Sequence, residues 1–160
     1  MKKSAYYLLL LAAVPLAFSC NQGTKNSVKG DAAAKADSLK KSDCFQAIDG
    51  KDTADLKIKT LSTGKIAGKL VINYLDKGKN DGLVEGNFKG DTLFVDYTFK
   101  IGTSNPTIYK NPLAFLKKDG KLVMGVGQIE TSLGKSYFVK GKPINFDKGR
   151  FVFAPVDCKN

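Results

Sequence analysis

Histidine and tryptophan are absent from this 160-residue chain, and arginine occurs once, at Arg150. Without histidine the chain lacks the usual general base and the commonest zinc ligand, which excludes histidine-based catalytic triads and histidine-containing zinc sites. Catalysis by Asp, Glu, Lys or Tyr stays open as one hypothesis. We expect no enzyme, no catalytic residue, no metal and no cofactor.

The shortage of arginine also bears on the positive charge of the chain. The formal net charge is +11, and a basic surface can serve an anionic partner. Arginine supplies the planar fork that reads guanine and clamps phosphate, which lysine does not. Because the lysines are dispersed over turns and polar strand positions, we expect a solvated cationic surface and no nucleic-acid partner.

The N-terminus has the layout of a secretory signal peptide, with a short basic start and an apolar run over residues 5–18. The run is too short for a comfortable transmembrane span. It ends in Ser19 and Cys20, and this sequence resembles the lipobox of bacterial lipoproteins. The resemblance implies that residues 1–19 are removed and that Cys20 carries acyl chains such as palmitate, which anchor the protein to a membrane. An ordinary signal peptide with a nearby cleavage site is the alternative.

The residues after Cys20 indicate a tether and a location. The residue after Cys20 is Asn21. An Asp at this position would resemble the retention signal of inner-membrane lipoproteins. We therefore expect a lipid anchor in the outer membrane and a domain that faces the periplasm. Residues 20–43 are polar and predict a flexible tether, although residues 31–41 could form a transient helix.

Cys44 and Cys158 remain when Cys20 is assigned to the lipid. The compartment beyond the inner membrane is oxidising, so we expect a disulfide that joins the start of the domain to its end. A redox-active pair is the alternative, but it lacks close C-x-x-C spacing.

The mature chain reads as short strands separated by turns. The clearest strand is residues 92–101. Its odd-numbered positions from 93 to 101 are apolar and fall on one face, whereas Asp96, Thr98 and Lys100 fall on the other. It follows residues 83–88 across a tight turn. Further strands are expected at residues 44–48, 53–61, 66–75, 112–116, 122–129, 136–139 and 150–156. Glycines recur within the strands, at Gly68, Gly86 and Gly125, where a coiled sheet needs bulges or close approach.

This pattern predicts an all-β domain over residues 44–158. We expect an antiparallel meander of about eight to ten strands that forms a small closed or nearly closed barrel. Residues 44–58, 79–99 and 114–129 are similar to small Bacteroidota-type lipoproteins of uncharacterised function, and the architecture resembles a lipocalin-like domain. The resemblance implies no particular activity.

Several residues are candidates for function. Residues 76–82 look superficially like a calcium loop, but an ordinary turn is expected because alternating acidic ligands are missing. Glu85 and Asp96 could meet across the central hairpin, as acid–base pairs do. The candidate ligand or partner surface consists of Tyr74, Tyr97, Ile108 and Tyr109.

These observations lead to two functional hypotheses beside the enzyme. The first is a lipid-anchored monomer that binds a small apolar ligand or an envelope protein. The alternative is a structural or envelope-stress interaction protein with a filled barrel and no ligand. The barrel interior discriminates between them, since inward Gly, Ala and Val would leave a cavity, whereas inward Phe, Leu and Tyr would fill it. The number of large apolar residues favours filling.

Overall fold

Ten β-strands build the part of the chain that the computed structural model describes, residues 37–158. Strict alternation of apolar and polar residues runs over residues 53–59 and 95–101, where it explains the burial of one face of the strand. The strands are β1 (Leu39–Asp49), β2 (Asp52–Leu61), β3 (Ile66–Tyr74), β4 (Gly78–Lys89), β5 (Thr92–Ile101), β6 (Tyr109–Lys118), β7 (Lys121–Met124), β8 (Ile129–Ser132), β9 (Lys135–Phe138) and β10 (Val152–Val156).

Eight of the strands close into an antiparallel barrel in the order β1-β10-β7-β6-β5-β4-β3-β2. The predicted all-β meander and closed barrel are therefore confirmed. Closure occurs where β1 pairs with β10, with Cys44 opposite Val156. Because the whole strand order lies between Leu39 and Val156, the barrel is complete within the compact unit Ala36–Asn160.

The predicted disulfide between Cys44 and Cys158 is present, and it lies at this closure. Its two Cα atoms are 5.2 Å apart, within the range that a disulfide spans. The bond ties the first barrel strand to the chain just after the last one, which confirms the expected link between the start and the end of the domain.

Between β7 and β10 the chain leaves the barrel and forms a separate two-stranded hairpin of β8 and β9. The hairpin packs on the outside of β6. Phe138 of β9 meets Phe94 of β5 edge-on, with ring centroids 6.5 Å apart. Ala114 of β6 is fully buried outside the interior cluster of the barrel. The excursion therefore covers part of the outer face.

The barrel interior is filled by inward-facing apolar side chains from all eight strands. Phe115 and Phe153 are fully buried at its centre and meet edge-on at 5.6 Å. Within residues 37–158, no polar or charged residue is buried. The remaining buried members of the cluster are Ala47, Ala54, Leu56, Ile58, Ile66, Leu70, Ile72, Val84, Leu93, Val95, Tyr97, Phe99, Leu122 and Phe151.

The glycines predicted inside strands do mark close backbone approach. A side chain at Gly68 would collide with the backbone of β2 at Lys57, and one at Gly86 would collide with the backbone of β5 at Phe94. Both positions lie in the inward-facing rows of their strands, with Gly68 opposite Ile58 and Gly86 opposite Val95. Glycine there lets neighbouring strands coil tightly enough to close the barrel.

Some predicted bounds need correction. β1 starts at Leu39, so residues 39–43, which were assigned to the tether, belong to the barrel. β4 starts at Gly78, inside the stretch predicted as a turn, because residues 78–82 pair with the end of β3. The predicted strand at residues 122–129 ends at Met124, where the chain turns away toward the hairpin.

Candidate functional site

The interior of the barrel holds Tyr97, one of the residues predicted to lie on a ligand or partner surface. Tyr97 is 2 % exposed, and its hydroxyl donates a hydrogen bond of 3.0 Å to the backbone carbonyl of Leu70. Burial raises the pKa of Tyr97 above its usual range. The prediction for Tyr97 is corrected, since its ring fills the core and its hydroxyl is already paired.

Tyr74 and Tyr109 are half-buried and pack against the core at one end of the barrel. Tyr74 lies 6.4 Å from the ring of Phe151, and burial raises the pKa of Tyr74. Tyr109 stacks on Phe99 at 5.5 Å, and its hydroxyl accepts a hydrogen bond from the Asn105 side chain at 3.4 Å. Both rings extend the filled interior toward the barrel end.

Ile108 is the one member of the predicted surface that is largely exposed, at 63 %. It lines a shallow concavity of about 300 Å³ on the outside of the barrel, together with Leu83, which is 60 % exposed. Lys100 and Asp81 border the same concavity. The structure thus separates the four predicted residues, leaving Ile108 outside and placing the three tyrosines in or against the core.

Glu85 and Asp96 do face each other directly across the β4–β5 hairpin. Both point outward, and Asp96 forms an ion pair of 3.0 Å with Lys110. Glu85 is exposed and Asp96 is half-buried, and both border shallow concavities on the outer face of the barrel.

The stretch compared with a calcium loop contributes one carboxylate to ion pairing. Asp81 bridges Lys69 at 2.9 Å and Lys79 at 3.1 Å. Desolvation raises the pKa of Asp81, but hydrogen bonds from the two lysines more than offset it and hold the pKa below its usual range. Across residues 37–158, no three His, Cys, Asp or Glu side chains come together in a way that could hold a metal ion.

Arg150 forms ion pairs with two carboxylates at one end of the barrel, on its outer surface. Its Nε atom contacts Asp49 at 2.6 Å and its Nη2 atom contacts Asp52 at 2.7 Å. The backbone N–H of Leu75 donates to Asp52 at 2.9 Å. A backbone hydrogen bond from Leu75 and then the Arg150 contact lower the pKa of Asp52. These contacts join the β1–β2 turn to the chain that leads into β10.

A groove that the sequence did not indicate runs along the outer face beside the disulfide. It has a volume of about 550 Å³ and a mostly apolar lining. Its walls come from β1, β2, β3 and the end of β10. We call it the disulfide groove, and its lining includes Cys44, Asp55, Lys57, Lys69, Val71 and Val156.

Two lysines stand side by side in this groove. Lys57 of β2 lies directly opposite Lys69 of β3. Like charges in directly opposed positions destabilise an antiparallel pair of strands, so an anion near both ammonium groups would stabilise this pair. The alternation of β2 and β3 indicates that both residues face outward, but only the register of the hairpin puts them together.

The predicted signal peptide, residues 1–19, and the predicted lipidation site Cys20 lie outside the described residues. Within the described part of the chain there is no helix that is long and apolar enough to cross a membrane. Comparisons with protein-family models, with curated proteins and with solved structures find no match to this chain.

Proposed function

We propose that the protein is a lipid-anchored lipoprotein of the outer membrane that faces the periplasm and binds a protein partner through the outside of its barrel. The anchor is supported by the basic start, the apolar run over residues 5–18 and Cys20. The disulfide between Cys44 and Cys158 fits a protein that works in an oxidising compartment.

The main support for binding on the outer surface is that the interior of the barrel is filled. Ligand-holding barrels keep room among their inward side chains, whereas here Phe115, Phe153 and Leu70 are fully buried at the centre. This packing favours the hypothesis of a filled barrel over an internal ligand. A surface role also suits a monomer, because closure of the barrel removes most of the free strand edges at which copies would pair.

The concavity around Ile108 and Leu83 is the proposed contact with the partner. Two large apolar side chains that are about three-fifths exposed form an adjacent pair there, with Lys100 and Asp81 at the border. An apolar centre with a charged rim is the common anatomy of a protein interface. The outward placement of Glu85 and Asp96, with Asp96 paired to Lys110, is consistent with a role that involves no catalysis.

The anchor is tested by growing cells that express the protein on an alkyne analogue of palmitate. The native chain is expected to incorporate the label in the outer-membrane fraction, and Cys20→Ser is expected to abolish it. Cys44→Ser is the matched control for a cysteine outside the lipobox and keeps the label. A native chain that carries no label refutes the lipid anchor.

The partner surface is tested by photo-crosslinking in intact cells with a reactive residue placed at Leu83 or Ile108. Ile48 of β1 is the matched control, because it is 67 % exposed on another part of the barrel. We expect one discrete adduct from positions 83 and 108 and none from position 48. The adduct from position 83 should disappear when Ile108→Glu is added. Equal adducts from all three positions would contradict the proposed surface.

A further inference from the structure

We propose that the disulfide groove is a binding site for a single-chain fatty carboxylate, with the carboxylate between Lys57 and Lys69 and the alkyl chain along Val71 and Val156. The site adjoins the partner surface around Ile108, with which it shares Lys69, but its apolar lining at Val71 and Val156 is its own. It does not depend on the lipid anchor, because its lining lies between Cys44 and Asp157.

The size and lining of the groove set the class of ligand. A volume of about 550 Å³ lies in the range of small-molecule sites, which are apolar with a few placed polar groups. Val71, Val156 and the Cys44 end of the disulfide provide apolar surface, and the lysine stems add to it. An elongated apolar chain matches such a lining better than a sugar or a nucleotide does.

The charges around the groove favour an anionic head. Lys69 shares the single carboxylate of Asp81 with Lys79, so two ammonium groups depend on one counter-charge. Among the ion pairs within residues 37–158, none includes Lys57. A ligand carboxylate between Lys57 and Lys69 would relieve their mutual repulsion.

The acidic residues of the groove leave this position open. Asp55 accepts a hydrogen bond of 3.1 Å from the Gln46 side chain, which lies across the β1–β2 pair. In the strand register Asp55 stands opposite Val71, one row away from Lys57 and Lys69. Asp157 lies in the chain after β10, at the disulfide side of the groove. The ligand carboxylate therefore binds at the side of the groove that carries Lys57 and Lys69.

The disulfide holds one wall of the groove in place. Cys44 lies opposite Lys57 in the β1–β2 register and opposite Val156 in the β1–β10 register. The bond to Cys158 holds the chain after β10 against that position, so it fixes the wall that carries Val156 and Asp157.

The experiment measures laurate binding by calorimetry below its micelle concentration, using the unacylated chain from Asn21 to Asn160. This chain retains the compact unit Ala36–Asn160. Acetate serves as the head-only probe and dodecanol as the tail-only probe. We expect laurate to bind at one site per chain, and both partial probes to bind at least about tenfold more weakly, as the loss of a charge-assisted contact or of the apolar contact implies.

Two sets of variants with matched controls locate the site. Lys57→Ala and Lys69→Ala should each weaken laurate binding about tenfold, whereas Lys79→Ala, which removes the other partner of Asp81 but no lining residue, should leave it unchanged. Val156→Asp should abolish binding. Val152→Asp should not, although Val152 is on the same strand and has the same 46 % exposure.

Amide chemical shifts provide a readout that is independent of affinity. On addition of laurate, shifts should change along β1, β2, β3 and the end of β10 and stay constant in the β8–β9 hairpin. The proposal is overturned if laurate binds no better than acetate, if dodecanol binds as tightly as laurate, or if Val152→Asp is as harmful as Val156→Asp. Failure of the lipid label at Cys20 would leave all of these results unaffected.

Discussion

The inside of the barrel and the outer face of β1, β2 and β3 are made by alternate residues of the same strands, yet they differ in nearly every property. Leu56 and Leu70 are buried and opposed across the β2–β3 pair, whereas the next residues, Lys57 and Lys69, are opposed on the outside. The inner face is apolar and closely filled. The outer face carries charge and open concavities.

The comparison shows where stability and recognition reside in this molecule. Packing inside excludes water and leaves no room for a ligand, so it contributes to the free energy of unfolding. The outside retains groups that folding does not satisfy, such as the opposed lysines and the exposed pair Leu83 and Ile108. A shift of one residue in the register would exchange the two faces, which is why the alternation fixes the fold strongly.

Truncation of Phe115 is expected to have the largest effect, because this ring is fully buried against Phe153. Phe115→Ala should lower the free energy of unfolding by about 4 kcal/mol through lost burial and a cavity. The matched control is Phe88→Ala on β4, where the ring is 39 % exposed, and the expected loss is about 1 kcal/mol or less. Urea denaturation measures both. Equal losses would mean that the interior is not the main source of stability.

Loss of the disulfide should have the next largest effect. The bond closes a loop with a sequence separation of 114, so removing it restores conformational freedom to the unfolded chain. The double variant Cys44→Ala and Cys158→Ala should lose about 3 kcal/mol. Intact-mass analysis with and without reductant verifies the bond in the native chain. A double variant as stable as the native chain would show that barrel pairing alone holds β1 against β10.

Tyr97 tests the one polar contact within the filled core. Tyr97→Phe removes the donor to the Leu70 carbonyl and should lower the free energy of unfolding by about 1–2 kcal/mol at neutral pH. Tyr137→Phe is the matched control, since Tyr137 is 38 % exposed on the hairpin, and it should change little.

The pH dependence of this variant carries a definite sign. Burial raises the pKa of Tyr97 in the folded state, whereas the unfolded state releases the proton near pH 10. The stability from this shift is therefore complete below about pH 10 and is lost as the pH rises toward the folded-state pKa. The difference between native chain and Tyr97→Phe should shrink across that range. A difference that grows with pH would contradict the assignment.

The sequence allowed the barrel to be predicted because alternation is read directly from neighbouring residues. Residues 92–101 were predicted with the bounds that β5 has. The same alternation placed Tyr97 on the face of Leu93 and Phe99, and so pointed to its place in the core. Aromatic character alone favours a ligand surface for Tyr97, whereas the alternation favours the core.

The disulfide groove was harder to predict because it depends on register. A turn limited to residues 62–65 would place Lys57 opposite Leu70, whereas the structure has Thr60 opposite Ile66 and therefore Lys57 opposite Lys69. Turn length alone gives the wrong pairing, and only the requirement that opposed residues share a face corrects it. The strand predicted at residues 136–139 corresponds to β9, but the packing of residues 125–150 on the outside of the barrel was beyond the sequence pattern, because it depends on tertiary contacts such as those of β9 with β6.

Arg150 offers the smallest and sharpest test of the outer face, since its guanidinium is exposed although the side chain of Asp52 is half-buried. Exposed ion pairs contribute little, so Arg150→Ala should lower the thermal midpoint less than Tyr97→Phe does.

The pKa of Asp52 is lowered first by the backbone N–H of Leu75 and only then by Arg150. The stability that depends on this shift is present above about pH 4, the ordinary range of the group, and is lost as the pH falls through the lower folded-state value. Arg150→Ala should therefore weaken that acid dependence only in part, because Leu75 still donates, whereas Asp52→Asn should remove it. Thermal midpoints measured between neutral and acidic pH distinguish the two variants. If Arg150→Ala destabilised the barrel as much as Phe115→Ala, the outer face would be contributing to stability on the scale of the core, and the contrast between the two faces would fail.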